Sequence, residues 1–414
     1  MKKKEEIMED ENIDTKKEIV TIKKEGFSYP EMVIIMIIAI LFGFLIGNVV
    51  SITKKETTNS SVPSELKEFV DTYNDIVNNY YDKVNKEELI DAGIKGMINY
   101  LDDPYATYFD GTSSTNFNQT LEGNYEGIGI EVTLDNKKVK ITKVFADTPA
   151  KKAGIKVGDY ITKVNAESVE GKSLSDVVSL IKNAKNKEVE ITITRDNQEK
   201  AMKVTRTTVD MPYTSSKVYE EKGKKIGYLK IEMFSNNITK QVKKELESLK
   251  KKNIDKLVID VRDNPGGYLT QVTEILSLFM TKKDVIYQLQ TKNNKEKVYS
   301  TSSKATYNYP VVVLINENSA SASEILASAF KETYNAEIVG VNSYGKGTVQ
   351  KTGDLNNGDT IKYTVQKWLT PKGNWINEKG VTPTKEVKLE LKENETLTED
   401  NDNQLKAAIE LASK

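Results

Sequence analysis

From Met32 to Thr53 the chain reads MVIIMIIAILFGFLIGNVVSIT, without one charged side chain. A bilayer core is crossed by about 20 apolar residues in a helix, so this run is read as a single membrane span. A cleaved signal peptide competes with that reading, but the stretch is long and no small-residue cleavage site follows it cleanly. Lys2, Lys3, Lys4, Lys16, Lys17, Lys23 and Lys24 precede the run, and Lys54 and Lys55 follow it. The excess on the N-terminal side predicts a cytoplasmic tail over 1–31, a transmembrane anchor over 32–53, and the rest of the chain outside.

KKETTNSSVP, residues 54–63, is a polar linker. Beyond it Leu66, Phe69, Val70, Tyr73, Ile76 and Val77 recur at three and four, the spacing of a helix face. LDDPYATYF (101–109) interrupts that period at Pro104. The whole of 64–122 is expected to be a helical N-terminal arm.

The grammar changes over 123–209, where YEGIGIEV, KKVKITKVF and EVEITITR alternate and one amphipathic helix forms near Leu174 to Asn183. Short strands with one helix predict a small, partly open barrel or sandwich. The block resembles a PDZ domain. Gly127, Ile128, Gly129 and Ile130 stand at the place of its carboxylate-binding loop, and AGIKVGDYITKVN at its central turn and strand. Over 210–396, strand-like runs (IGYLKIEMF, KLVIDVR, PVVVLIN, AEIVGVNS) alternate with helix-like ones, which predicts an α/β core with a largely parallel sheet. Residues 397–414 close the chain with an amphipathic helix.

Chemistry is limited by what the chain lacks. It has no cysteine and no histidine, which excludes disulfides, thiolate zinc sites, a catalytic thiol and an imidazole base. Lys+Arg 60 against Asp+Glu 61 gives no bulk pull toward nucleic acid. Serine, threonine, lysine, tyrosine and carboxylates remain.

Three stretches could use them. In NENSASASEILASAF (316–330), Ser321 stands at a helix entrance, where free N–H groups and the helix dipole stabilise a developing anion. The competing reading is a capping box, Ser321 with Glu324; Ser319 and Ser323 are caps or packing residues. RDNPGG (262–267) ends a strand on two glycines whose bare N–H groups offer an oxyanion site, or merely a turn. In SYGKGTVQ (343–350), Lys346 lies between glycines; reaching water is the bland reading, and serving as a base requires burial enough to lower its pKa. Gln350 shares its face if the segment is a strand. Without histidine the partner for serine is lysine, tyrosine or a carboxylate, and lysine is the best attested of these.

LDDPYATYF, the PDZ block, DVRDNPGG, NENSASASEI and SYGKGTVQ occur in the order found in the carboxyl-terminal processing peptidases, tail-specific serine proteases with a Ser-Lys dyad, and the chain resembles that family from about Ser64 to its last helix. The resemblance implies Ser321 as nucleophile, Lys346 as general base, Gln350 as positioning residue, and an oxyanion hole from the Ala322 N–H with that of Gly266 or Gly267. It also implies capture of protein C-termini by residues 127–130, a gating PDZ domain, a homodimer formed through apolar arms, and an enzyme on the outer side of a bacterial membrane; Arg195, by its position alone, is a candidate link from that domain to the dyad, against the reading of a solvated surface arginine. No metal or organic cofactor and no nucleic acid are implied. The chain departs from the family at Val381-Thr382-Pro383-Thr384, where Pro-Asp is usual. The rivals are a non-catalytic PDZ receptor or scaffold with a dead protease fold, and a trypsin-like PDZ protease, which fails for want of histidine.

Overall fold

The computed structural model describes residues 63–392 and 395–414. The expected tail, the anchor over 32–53 and all but the last linker residue lie outside the described residues. Among the described residues no helix is long and apolar enough to cross a membrane.

The chain divides into two compact units, to Leu89 and from Ile90 onward. In the first, the apolar repeat forms the helix Lys67–Asn79, and a second helix, Lys86–Tyr100, begins near the unit's end.

In the second unit the arm is not wholly helical. After Pro104 the aromatic and β-branched run Thr107–Phe109 is a strand, paired antiparallel with Thr360–Leu369, before the helix Gly111–Glu122. Thr and aromatic side chains favour the pleated, half-buried surface that the long partner strand provides.

The PDZ-like block forms a sheet in the order Ile130–Asp135, Lys138–Val144, Tyr160–Val164, Glu188–Arg195, Gln198–Thr205. The helix Leu174–Lys182 buries Val177 and Ile181 among Ile141, Ile161, Ile191 and Ile193, so the block has its own core. YEGIGIEV is split: Asn124–Gly127 pairs with Thr207–Asp210, and only from Ile130 does the chain join the main sheet.

The core sheet runs Thr214–Glu221, Lys224–Ile231, Lys256–Asp260, Val311–Ile315, Glu337–Gly340, Lys385–Glu386, antiparallel at the first pair and parallel thereafter. Both faces are covered, as the unbroken burial of Val311–Ile315 requires. The helices Ile238–Lys251, Leu269–Leu276 and Ala322–Glu332 pack on one face, and Asn403–Ala412 covers Ile226, Val258, Val312, Leu314 and Val339 on the other. A second, antiparallel sheet carries Thr107–Phe109, Thr360–Leu369, Val285–Gln290 and Lys295–Tyr299, with Thr348–Asp354 hairpinned onto Thr360–Leu369. The carboxyl ends of the parallel strands point their loops to one edge. Arg262 to Gly267 and Asn316 to Ser321 meet there.

Candidate active site

Ser321 opens the helix Ala322–Glu332 directly after the loop from Val311–Ile315. Its backbone is held at φ 56° and ψ −113°, outside the comfortable regions for a residue with a Cβ. Such a conformation persists only where its surroundings enforce it. They do so from both sides. Ser319, fully buried, donates its hydroxyl to the Val261 carbonyl at 2.7 Å, and Ser323 donates to the Asn264 carbonyl at 2.9 Å. The outer serines of SASAS are therefore structural. The first-turn donors need no hydroxyl cap: the N–H groups of Glu324 and Ile325 both go to the Ser321 carbonyl at 2.9 Å.

Glu324 does more than the capping box asks of it. Its carboxylate is fully buried and accepts four donors: Ser321 N–H at 2.8 Å, Lys346 N–H at 2.9 Å, Gly345 N–H at 2.7 Å and the Ser343 hydroxyl at 2.6 Å. Burial nevertheless pushes its pKa up, against the pull of those donors. One side chain thus ties the helix entrance to the SYGKG loop.

The rest of that loop is clamped by the only two tryptophans of the chain. Trp368 donates its indole N–H to the Lys346 carbonyl at 2.7 Å, and Trp375 donates to the Gly347 carbonyl at 2.9 Å. A Cβ on Gly347 would stand 2.6 Å from the Trp375 nitrogen, which accounts for the glycine. Fixed by its backbone, Lys346 extends a half-buried side chain whose Nζ lies 4.8 Å from the centre of the Tyr105 ring. Its pKa falls from 10.5 to about 8, first through burial and then through the charge of Lys362, while Asp103 and Glu324 act the other way. Among the described residues no hydrogen bond joins the Ser321 hydroxyl to the Lys346 amine.

The two glycines separate in role. The Gly266 N–H donates to Asn264 Oδ1 at 2.9 Å, and its carbonyl accepts from Phe234 at 2.8 Å. Among the described residues the N–H groups of Gly267 and Ala322 have no acceptor, so these two are available for an oxyanion. Gly266 instead lets the loop approach: at φ 105°, a Cβ there would stand 2.8 Å from both the Ala320 oxygen and Ser321 Cβ, and 3.1 Å from the Ala322 nitrogen. Asn264, fully buried and also bonded to the Ile231 carbonyl at 2.9 Å, anchors the loop.

Two expected participants lie elsewhere. The Gln350 amide donates to Thr348 and Thr364, at 2.9 and 3.1 Å, and not to Ser321 or Lys346. A bulge between Val349 and Gln350 breaks the alternation on which the shared face depends. Arg195 is committed inside the PDZ-like block, to Asp159 at 2.6 and 2.7 Å and to the Gly154 carbonyl at 2.8 Å. Burial would raise the pKa of Asp159, but Arg195 and the Lys156 N–H overcome it and hold the carboxylate low. Arg195 is a structural ion pair rather than a free link to Ser321, because a buried acid needs a partner.

Tyr125 lies against Gly127, where a Cβ would stand 2.4 Å from the ring. Its hydroxyl is faced by the N–H groups of Gly129 and Ile130, which pull its pKa down against the larger upward push of burial. Asn264, Glu324, Trp368, Trp375 and Tyr105 were not legible as site residues in the sequence. NPGG and SASE flag the first two by adjacency, LDDPYATYF contains Tyr105, and nothing local flags the two tryptophans.

The sequence pattern of Peptidase family S41 matches residues 225–387, that of a PDZ domain matches 127–205, and that of the N-terminal domain of activating protease CtpB matches 46–113. Carboxy-terminal processing protease CtpA of Bacillus subtilis is 36% identical over 351 residues, 84% of this chain and 73% of that protein. Carboxy-terminal processing protease CtpB of the same organism is 41% identical over 318 residues, 76% of this chain and 66%, just under two thirds, of that one. Among solved structures, a photosystem II D1 C-terminal processing protease aligns at 25% identity and TM-score 0.44, over 79% of this chain and 94% of that chain.

Proposed function

Because the chain belongs to peptidase family S41, with the carboxyl-terminal processing serine peptidases, we propose that it cleaves proteins near their C-termini with Ser321 as nucleophile and Lys346 as general base. The observation that carries this reading is the Glu324 carboxylate, which holds the backbones of both residues on one oxygen. As the Ser321 oxygen attacks a peptide carbonyl, its proton passes to the neutral Lys346 amine. The N–H groups of Gly267 and Ala322 receive the oxyanion. The ammonium then protonates the leaving amine as the C–N bond breaks; water next adds to the acyl carbon as it gives a proton to Lys346, and that proton passes to the Ser321 oxygen as the C–O bond breaks and the acid leaves.

Residues 127–130 take the substrate's terminal carboxylate on backbone N–H groups, with the tail added as a strand. The run 32–53 anchors the enzyme in a bacterial cell membrane with its catalytic part outside, and the apolar arms pair two copies. A non-catalytic PDZ scaffold is the second reading, favoured by the lack of a hydrogen bond between the Ser321 hydroxyl and the Lys346 amine. The deciding experiment compares Ser321→Ala and Lys346→Ala with the parent for cleavage of a C-terminal peptide and for its binding. Binding kept and cleavage lost supports the enzyme; cleavage surviving in both variants overturns it.

A further inference from the structure

The segment 101–109, which breaks the helical arm, lays a row of aromatic rings against lysines. Lys346 Nζ lies 4.8 Å from the centre of Tyr105, Lys95 Nζ 4.6 Å from Tyr108, and Lys362 Nζ 5.3 Å from Phe109. Strand pairing sets the row, since Thr107 lies opposite Lys362 and Phe109 opposite Thr360. Lys362 has a second ring as well: Phe117 stacks on Phe109 at 4.7 Å, and the Lys362 ammonium is 5.3 Å from its centre too.

Lys346 and Lys362 are both half-buried, and among the described residues neither makes an ion pair. The groups that act on Lys346 are Lys362 from the long strand, Asp103 from the 101–109 segment and Glu324 from the helix. Burial lowers the pKa of Lys362 too, and Asp103 is the acid that acts against that burial. Tyr105 lies beside them, and its pKa is pushed further up by burial and then by Tyr344. Glu324 spends its lone pairs on four donors. The two ammoniums thus share Asp103, with Glu324 acting on Lys346 alone, and like charges at two half-buried positions disfavour joint protonation.

Which amine gives up its proton follows from the rings. Two aromatic faces favour the charged form of Lys362, where Lys346 has one. We propose that Lys362 is a positioning residue for the reaction: its caged ammonium, acting on Lys346 through space, selects the neutral amine that Ser321 needs. This rests on the dyad reading above and adds to it the group that makes the base a base.

The test is the pH profile of kcat/KM for a C-terminal peptide, measured on the full chain in detergent. Lys362→Met should move the rising limb upward by about half a unit, a roughly threefold loss on its acid side that is recovered at higher pH. Lys362→Arg, which keeps the charge, should leave the limb in place. Asp103→Asn should move it downward, and this opposite shift tests the idea even where Lys362→Met fails to fold. A limb that stays put in both Lys362→Met and Asp103→Asn, or that moves equally in Lys362→Arg, overturns the inference. Lys346→Ala separates the two levels: activity surviving there breaks the dyad reading, whereas its loss with an unmoved limb in the other variants breaks only the role of Lys362.

Discussion

Ser321 and Lys346 share one acceptor: Glu324 Oε2 takes the backbone N–H of each, at 2.8 and 2.9 Å. The two residues belong to different elements, a helix entrance and the loop before the strand Thr348–Asp354, so their alignment depends on that carboxylate rather than on either element alone.

Removing it should therefore damage both halves at once. Glu324→Ala strands four donors, of which the Ser343 hydroxyl and the Gly345 N–H are buried and each cost about 1–3 kcal/mol when left dry. Glu324→Gln keeps an oxygen for some of them. Thermal melting should place the alanine variant well below the glutamine variant, and cleavage should fall in both before binding of a C-terminal peptide does. Equal melting of all three proteins would remove Glu324 from its place as the tie.

Lys346 gives the pH dependence its sign. With its pKa lowered from 10.5 to about 8, the active amine fills as pH rises through about 8, so kcat/KM should climb there. Stability is linked in the same direction. Between about 8 and 10.5 the unfolded lysine holds a proton that the folded one has released, so stability rises with pH across that window, and below it the cost of burying the charge is felt in full. Lys346→Met removes that cost and should melt higher than the parent at neutral pH while losing activity. A lower melting point for that variant would mean the ammonium is not penalised by its site.

Gly266 separates shape from hydrogen bonding. Its N–H is already taken by Asn264, yet a Cβ there meets Ser321 Cβ and the Ala320 oxygen at 2.8 Å, on a backbone at φ 105°. Gly266→Ala should push the loop away from the helix entrance and misplace the Gly267 N–H. Loss of one oxyanion donor costs on the order of 100- to 1000-fold in kcat. Measuring kcat and KM apart checks this, because a change confined to KM would deny these N–H groups an oxyanion role.

What the sequence disclosed follows from how local each signal is. The buried strand Val311–Ile315 and the helix Ala322–Glu332 are carried by apolar runs and periods within their own residues, and both stand where they were expected. The PDZ-like block was legible for the same reason. Thr107–Phe109 was missed as a strand because its partner lies some 250 positions on, at Thr360–Leu369. Gln350 and Arg195 were placed by extrapolating alternation and position, and a bulge and a buried aspartate redirected them. The indole clamps on the Lys346 loop come from Trp368 and Trp375, and no spacing rule connects them to a lysine two strands away.

The last helix is tied to the loop behind Ser321 by Arg262. Its guanidinium bonds Asp260 at 2.7, 3.0 and 3.1 Å, Asp402 at 2.7 and 3.0 Å, and Gln404 at 3.0 Å, all out of solvent. Tyr228 adds its hydroxyl to Asp260 at 2.7 Å, and Asp402 also caps the helix through the Leu405 N–H at 2.9 Å. Burial alone would lower the Arg262 pKa, but the two carboxylates overcome it and raise the pKa instead. Breaking one side of such a cluster leaves charge buried without its partner, at about 3–5 kcal/mol. Asp402→Ala should accordingly lower the melting temperature by several degrees and expose the C-terminal helix to limited proteolysis. Arg262→Lys should not substitute for the parent, because one ammonium cannot reproduce a planar fork held between two carboxylates. Since Asp263 and Asn264 follow Arg262 directly, both variants should also lose activity beyond what unfolding explains, measured well below their melting points. Full activity there would show that the RDNPGG loop holds its shape without the clasp.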